Sequence, residues 1–287
     1  MTALVAVGLM AALTGVLASV VVIANRWLAV AEDPRVGLVE QMLPHTNCGA
    51  CGYPGCQAFA EALVRGETLP GKCSVSTSEE HQRIAAFLGV GVGAEEKRVA
   101  RLACAGGSNV ARNRAHYEGV ETCAAAALVA GGGKGCFWGC LGLADCQRAC
   151  DFEAIEMDSH HLPEVDEDRC TACGDCVEAC PKDLFSLHPI SHRLWVACSS
   201  LAQGDAVLED CEVACTACGR CAMDAPRQIE MQNGLPVIDY EAGPSTREPT
   251  QRCPTGAIVW IDPERGFLKG EAAREVVRQG DRRDGPS

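Results

Sequence analysis

The sequence is poor in aromatic residues. Its 287 residues include six Phe, four Trp and three Tyr, 5% in all, against 30 Gly. A chain of this length commonly makes one or two domains. So few large apolar side chains exclude a single large core, and small units must be held together in another way. Cationic side chains are also scarce: Lys plus Arg number 25 and Asp plus Glu 38, a formal charge of −13. That balance excludes nucleic acid as a partner, because phosphate contact needs a basic face. It also argues against adsorption to an anionic membrane by surface charge. A phosphate-binding loop is missing: Gly131-Gly132-Gly133 has no Gly-Lys-Ser/Thr or Gly-x-Gly-x-x-Gly context and reads as a flexible linker. His45, His81, His116, His160, His161, His188 and His192 are not spaced as a metal set or a catalytic triad and read as surface residues.

What the chain does have is one long apolar run and many cysteines. From Ala3 to Ala24 the 22 residues carry no charge, and only Thr14 and Ser19 are polar. About 20 residues suffice for a helix to cross the hydrocarbon of a bilayer. Arg26 and Trp27 follow as interfacial anchors would. A cleaved signal peptide is the competing reading, with Ala29-Val30-Ala31 as cleavage site, but no basic residue precedes the run and it exceeds a signal core in length. The basic flank on the C-terminal side places the remainder in the cytoplasm, where thiols stay reduced. One helix cannot conduct ions alone, so any transport belongs to partners.

Twenty cysteines in a secreted protein would suggest disulfides, but disulfide scaffolds are short. These cysteines are bunched two or three residues apart in a long chain, a spacing that aims several thiolates at one ion or cluster. The first group is Cys48, Cys51, Cys56 and Cys73, spaced C-x2-C-x4-C-x16-C. Three close thiolates can wrap one face of a cubane, whereas zinc usually takes two ligands from each of two knuckles. Gln57 to Val64 reads as a short helix between the third and fourth ligands. The second region holds Cys136, Cys140, Cys146 and Cys150, then Cys170, Cys173, Cys176 and Cys180-Pro181, the latter being the bacterial ferredoxin run C-x2-C-x2-C-x3-C-P. In two-cluster ferredoxins the fourth cysteine of each run binds the other cluster. One 4Fe-4S cluster would therefore take Cys170, Cys173, Cys176 and Cys150, and its neighbour Cys136, Cys140, Cys146 and Cys180.

The third region is a worn copy of the second. An offset of 75 maps Cys136, Cys140 and Cys146 onto Cys211, Cys215 and Cys221, with Leu143 on Cys218 and Cys150 on Ala225. An offset of 73 aligns Leu162-Pro163 with Leu235-Pro236 and Asp166 with Asp239. It places Gly243, Thr246 and Pro249 on the three ferredoxin cysteines and Cys253-Pro254 on Cys180-Pro181. The four lost positions are all the ligands of one cluster and none of the other, so one cluster survives, on Cys215, Cys218, Cys221 and Cys253. Cys104, Cys123, Cys198 and Cys211 remain. They read as buried free thiols, since Cys packs as a small hydrophobe, with a fifth cluster as the alternative and Cys211 able to replace a neighbouring ligand. Cys104 and Cys198 end the strand-like stretches Val99 to Cys104 and Leu194 to Cys198. Ser78 to Leu88 reads as a helix with early acids, and the tail from Gly270, with Arg274, Arg278, Arg282 and Arg283, reads as a solvated basic end.

The apolar N-terminal helix, the run Leu43-Pro44-His45-Thr46-Asn47-Cys48-Gly49-Ala50-Cys51-Gly52-Tyr53-Pro54-Gly55-Cys56 with Cys73, and the ferredoxin modules that follow resemble the B subunit of the Rnf electron transport complex, in its longer form. The resemblance implies an iron–sulfur subunit of an ion-translocating ferredoxin:NAD oxidoreductase that takes electrons from soluble reduced ferredoxin. Its partners would be the integral membrane and peripheral subunits that carry the flavin and NAD sites, with electron flow coupled to Na+ or H+ translocation. It also implies a single-pass protein of the cytoplasmic (inner) membrane, with its soluble part in the cytoplasm. Asp151, where Pro is usual after the fourth cysteine, departs from the pattern. A polyferredoxin-like subunit of another membrane redox complex, a hydrogenase or dehydrogenase, is the alternative. The expected fold class is α+β with about four 4Fe-4S clusters: a transmembrane anchor (1–26), a four-Cys cluster domain (27–90), a connecting segment with strand and helix (91–134), a two-cluster ferredoxin-like module (135–190), a degenerate one-cluster module (191–267) and a charged tail (268–287).

Overall fold

A computed structural model describes residues 2–28, 33–93 and 96–276. The Ala29-Val30-Ala31 segment and the tail arginines Arg278, Arg282 and Arg283 lie outside the described residues. The apolar run forms helix α1, Thr2–Leu28. Its stretch Val7–Trp27 has a mean hydropathy of 2.4 and is 0% buried against the rest of the chain. The two hydroxyls of that stretch bond back one turn, Thr14 Oγ1 to the Met10 carbonyl (2.6 Å) and Ser19 Oγ to the Gly15 carbonyl (2.7 Å). Neither therefore leaves an unmet hydrogen bond in an apolar setting.

Three helices make the next unit. Helix α2 (Pro34–Gln41) starts on Asp33, whose side chain accepts from the Arg35 amide, with Pro34 in the first turn where its missing N–H costs nothing. Helix α3 (Cys56–Val64) covers the predicted Gln57–Val64 segment and starts one residue earlier. Helix α4 (Ser78–Leu88) is capped by Thr77 and Glu80 in a reciprocal capping box and ends on left-handed Gly89, as the early acids of that segment suggested. Val39, Leu43, Phe59, Ala60, Leu63 and Ile84 bury around the sulfurs of Cys56 and Cys73.

The remainder repeats one pattern twice. Strand β1 (Arg98–Leu102) leads into a long loop with helix α5 (Cys123–Leu128), then helix α6 (Asp145–Arg148), the hairpin β2 (Ile155–Met157) and β3 (Pro163–Val165), helix α7 (Asp175–Glu178) and strand β4 (Phe185–Pro189). Strand β1 pairs antiparallel with β4, Arg98 opposite Pro189 and Leu102 opposite Phe185. The first strand of this module thus lies within the predicted connecting segment, upstream of position 135. The second round runs β5 (Leu194–Val196), α8 (Arg220–Asp224), the hairpin β6 (Ile229–Gln232) and β7 (Leu235–Ile238), α9 (Glu248–Gln251) and β8 (Ile258–Asp262), to which β9 (Gly266–Leu268) adds an edge. Asn233 and Gly234 both have positive φ, 51° and 83°, the turn that matches strand twist in a two-residue hairpin. The mixed α+β class expected from the sequence is the class observed.

The two rounds share a wall. The Trp195 indole N–H donates to the Leu102 carbonyl (2.8 Å) and Ser199 Oγ to the Ala103 carbonyl (2.9 Å). The Ala105 amide donates to the Ala197 carbonyl (3.0 Å). Arg101, 6% exposed, pairs with Glu167 beside β1.

Two sequence readings change. The Gly131-Gly132-Gly133 segment is a packed turn, not a free linker: all three have positive φ, and the Gly133 carbonyl accepts from the Arg114 amide at 2.7 Å. Nor are all histidines surface residues. His188 is half-buried, edge-on to Trp195 at 4.8 Å, with Nδ1 3.2 Å from Nδ1 of His192. The Tyr240 ring stacks on His192 at 3.6 Å. Burial first, then His192, Arg98 and Arg101, pull the His188 pKa down to about 4.

Two tests follow from this packing. A Cβ on Gly133 would stand 2.2 Å from the Ala115 carbonyl oxygen, whereas one on Gly131 meets nothing nearer than 3.7 Å. Gly133→Ala should therefore cost about 2 kcal/mol or more in denaturant unfolding and exceed Gly131→Ala, which bears only the left-handed backbone penalty; equal costs would contradict the packed turn. Because the folded chain holds His188 neutral while the unfolded chain protonates it, its contribution to stability is full above pH 6.5 and is lost as the pH falls towards 4. Unfolding midpoints between pH 7 and pH 5 should show this loss, and His188→Gln should weaken it.

Candidate metal centres

The sequence Asn47-Cys48-Gly49-Ala50-Cys51-Gly52 folds as consecutive left-handed turns, with φ of 49° at Asn47, 72° at Gly49 and 81° at Gly52. They curl the loop back on the start of α3, where the Asn47 side-chain carbonyl accepts from the Cys56 amide at 2.8 Å. Cys73 returns through a short turn at Pro70–Lys72. Ser76 Oγ lies 3.3 Å from Cys73 Sγ, and His81 Nε2 lies 2.9 Å from the Cys73 carbonyl oxygen. Burial pushes the Cys51 thiol up, and Cys73 and Cys48 stand close enough to add to the shift. The structure thus brings this predicted foursome together.

The other sixteen cysteines surround four cavities of nearly equal size. One, of about 320 Å³, is lined by Cys150, Cys170, Cys173 and Cys176 with Phe152, Ile155 and Leu187; this is the set expected from the crossed ferredoxin rule. One of about 350 Å³ is lined by Cys215, Cys218, Cys221 and Cys253, the set expected from the decayed repeat. Cys-Thr-Ala-Cys-Gly-x-Cys occurs at both 170–176 and 215–221 and turns the same way in each, through positive φ at Ala172 and Gly174 and at Ala217 and Gly219. Where the lost cluster would sit, the Gln228 amide bonds the Gly243 carbonyl and Ser245 Oγ instead, so a side chain now holds that loop.

The predicted foursome Cys136, Cys140, Cys146 and Cys180 is not brought together. Cys140, Cys146 and Cys180 line a cavity of about 320 Å³, but its fourth cysteine is Cys123. The physical reason is the long loop after β1: Thr122 caps α5, and the Ala124 amide donates to the Asp145 carboxylate at 2.9 Å, which fixes Cys123 beside α6. Cys136 instead faces a cavity of about 330 Å³ with Cys104, Cys198 and Cys211. Those three, free and mostly buried as expected, thus share one space with Cys136. No spacing rule reveals Cys123, because it lies 17 residues before Cys140 in a loop.

The chemistry of these donor sets fits a cluster. None of the twenty cysteines is in a disulfide. Among the described residues, no three His, Cys, Asp or Glu side chains close on a point that one ion could fill; the thiols ring larger spaces. Backbone amides point at the sulfurs: Ala100 at Cys170 (3.4 Å), Ala154 at Cys150 (3.3 Å) and Leu184 at Cys180 (3.5 Å). Amide donation of this kind tunes a bound cluster. Burial, with neighbouring thiols adding to it, pushes the thiols of Cys146 and Cys176 up to about 12. Thiols so placed ionise only with a metal to balance them. The sites also touch in sequence: Ser74 Oγ donates to the Thr171 carbonyl at 2.5 Å, tying the Cys73 turn to the Cys170 loop. Cys218 alone of the twenty is exposed.

Residues 43–75 match a family described as an Fe-S cluster, and residues 162–185 a 4Fe-4S binding domain family. Over 240 residues the chain is 40% identical to the B subunit of the Na(+)-translocating ferredoxin:NAD(+) oxidoreductase complex of Acetobacterium woodii, covering 82% of this chain and 71% of that protein. The chain belongs to the Rnf B-subunit family. The proton-translocating counterpart from Clostridium ljungdahlii is 38% identical over 82% of this chain and 84% of its own length. The B subunit of the ion-translocating oxidoreductase complex of Methanosarcina acetivorans is 34% identical over 83% and 90%. Rnf B subunits are iron–sulfur electron-transfer subunits of an oxidoreductase complex, in keeping with the cysteine-lined centres.

The Asn47 side chain is the hinge of the first loop. Asn47→Ala should lower the stability of the anaerobic protein by about 1–2 kcal/mol, whereas Asn47→Asp, which keeps the acceptor, should cost less; urea midpoints of the two variants decide.

Proposed function

We propose that this chain is a membrane-anchored relay for single electrons, running from reduced ferredoxin on the cytoplasmic side to partner subunits of a ferredoxin:NAD oxidoreductase. The complex as a whole would move Na+ or H+, and α1 would hold the relay beside the subunits that do so. The observation that carries this reading is the series of compact spaces, each lined by four cysteines. Four of the sets would hold 4Fe-4S clusters: Cys48, Cys51, Cys56 and Cys73; Cys150, Cys170, Cys173 and Cys176; Cys123, Cys140, Cys146 and Cys180; and Cys215, Cys218, Cys221 and Cys253. When bound, such a cluster supplies one-electron chemistry at potentials of about −700 to +450 mV. The polypeptide supplies the thiolates, the amide donors that favour one charge state over the other, and apolar walls such as Phe152 and Leu187 that exclude water. Arg26 and Trp27 in the last turn of α1 favour the inner membrane orientation with the soluble part in the cytoplasm. Similarity to B subunits along most of the chain favours this machine over a membrane hydrogenase or dehydrogenase.

The full chain, purified anaerobically in detergent, should be brown, contain iron and sulfide in equal amounts, and bleach with dithionite or reduced ferredoxin. Cys253→Ala should remove about four irons and leave the rest. A colourless protein carrying stoichiometric zinc would end the relay reading.

A further inference from the structure

The cavity of about 330 Å³ lined by Cys104, Cys136, Cys198 and Cys211 belongs to none of those four sets. It lies on the wall shared by the two ferredoxin-like rounds, and its ligands come in equivalent pairs. Cys136 and Cys211 are the first cysteines of the two copies, related by the offset of 75. Cys104 and Cys198 each follow the first strand of their round by two residues, in Leu102-Ala103-Cys104 and Val196-Ala197-Cys198.

The hydrogen bonds repeat in the same way. Cys104 Sγ accepts from the amide two residues on, Gly106 (3.4 Å), and from the amide of Cys140 (3.5 Å). Cys198 Sγ accepts from the amide two residues on, Ser200 (3.5 Å), and from the amide of Cys215 (3.3 Å). Cys140 and Cys215 are themselves related by the offset of 75. Four amides thus converge on two sulfurs, more donors per sulfur than the structure shows at Cys150, Cys170 or Cys180. Lys134 also lines the cavity, held there by its ammonium bonds to the carbonyls of Gly106 and Cys140. Four amide dipoles aimed at two of the thiols, with a lysine on the lining, make a place for negative charge. The space also matches the other three in volume.

We infer that Cys104, Cys136, Cys198 and Cys211 hold a fifth 4Fe-4S cluster, centred on the seam between the two copies. Loading it converts four thiols to thiolates, whose protons leave to solvent. The inference rests on the relay reading and completes it. The amide of Cys140, a ligand of the neighbouring first-round set, points at one of its sulfurs, and the amide of Cys215, a ligand of the second-round set, at another. The seam site therefore stands between the two rounds and touches a cysteine of a neighbouring set in each.

Iron and acid-labile sulfide analysis of the anaerobic full chain tests this without any substitution. About twenty irons per chain are expected. About sixteen would overturn the fifth site and leave the relay standing, whereas absence of iron and sulfide would overturn the relay itself. The double variant Cys104→Ala/Cys198→Ala should retain about sixteen irons and lose one reducible paramagnetic centre. Twenty irons in that variant would overturn the ligand assignment. Exchange of partners is checked by Cys123→Ala, which should also remove one centre, a different one in its paramagnetic spectrum. An unchanged iron content there would return Cys136 to the set of Cys140, Cys146 and Cys180 and overturn the seam site. Should the double variant fail to accumulate, the iron content of the unsubstituted chain still decides.

Discussion

The structure depends on sulfur taking the place that large apolar side chains hold elsewhere. Among the described residues, four of the five buried clusters contain cysteine: Cys56 and Cys73 in the first unit, Cys104, Cys146, Cys170 and Cys176 in the first ferredoxin-like round, Cys215, Cys221 and Cys253 in the second, and Cys211 at the seam. Helices of four or five residues such as α6, α7 and α8 are too short to persist by themselves. Each instead presents a cysteine in its second position to a cavity. A metal bound there contributes folding free energy as well as redox chemistry, so the fold and the electron-carrying centres are one construction. The thin aromatic content and the crowd of cysteines are two sides of that economy.

Helix α1 stands apart from the rest of the chain: its stretch Val7–Trp27 is 0% buried. Its exposed valines and leucines suit association with a membrane, in keeping with homologues that are subunits of ion-translocating complexes.

Much of this was legible in the sequence, for local reasons. The runs at 48–56 and 170–181 gather cysteines separated by only two to four residues, so spacing alone discloses them. The foursome Cys215, Cys218, Cys221 and Cys253 could be read because loss of a whole ligand set leaves a recognisable gap in a repeat. The helix at 78–88 announced itself by its cap and acids. What stayed hidden depends on long-range geometry. Cys123 reaches its partners through a loop whose path is set by the Ala124–Asp145 bond, and no periodicity encodes that. Cys104 and Cys198 lie 94 residues apart and meet only because β1 and β5 end on the same wall. Their equivalence was present as two Ala-Cys dipeptides after apolar strands, a signal too short to rank above a buried thiol. The glycine triplet misled for a related reason: composition suggests slack, while the turn at Gly133 is fixed by backbone contact on the far side of the fold.

The bond from Trp195 to the Leu102 carbonyl has a bearing on how such a duplicated protein can change. Once a second copy leans on the first through its own indole and shares a wall with it, the boundary between the copies ceases to be a place where the chain can be cut. Neither half, expressed alone, would keep its inner surface dry. Loss of cofactor ligands in the second copy could therefore proceed without loss of the copy, since its remaining duty is partly that of a buttress. Recombination among relatives would have to exchange both halves as a single block.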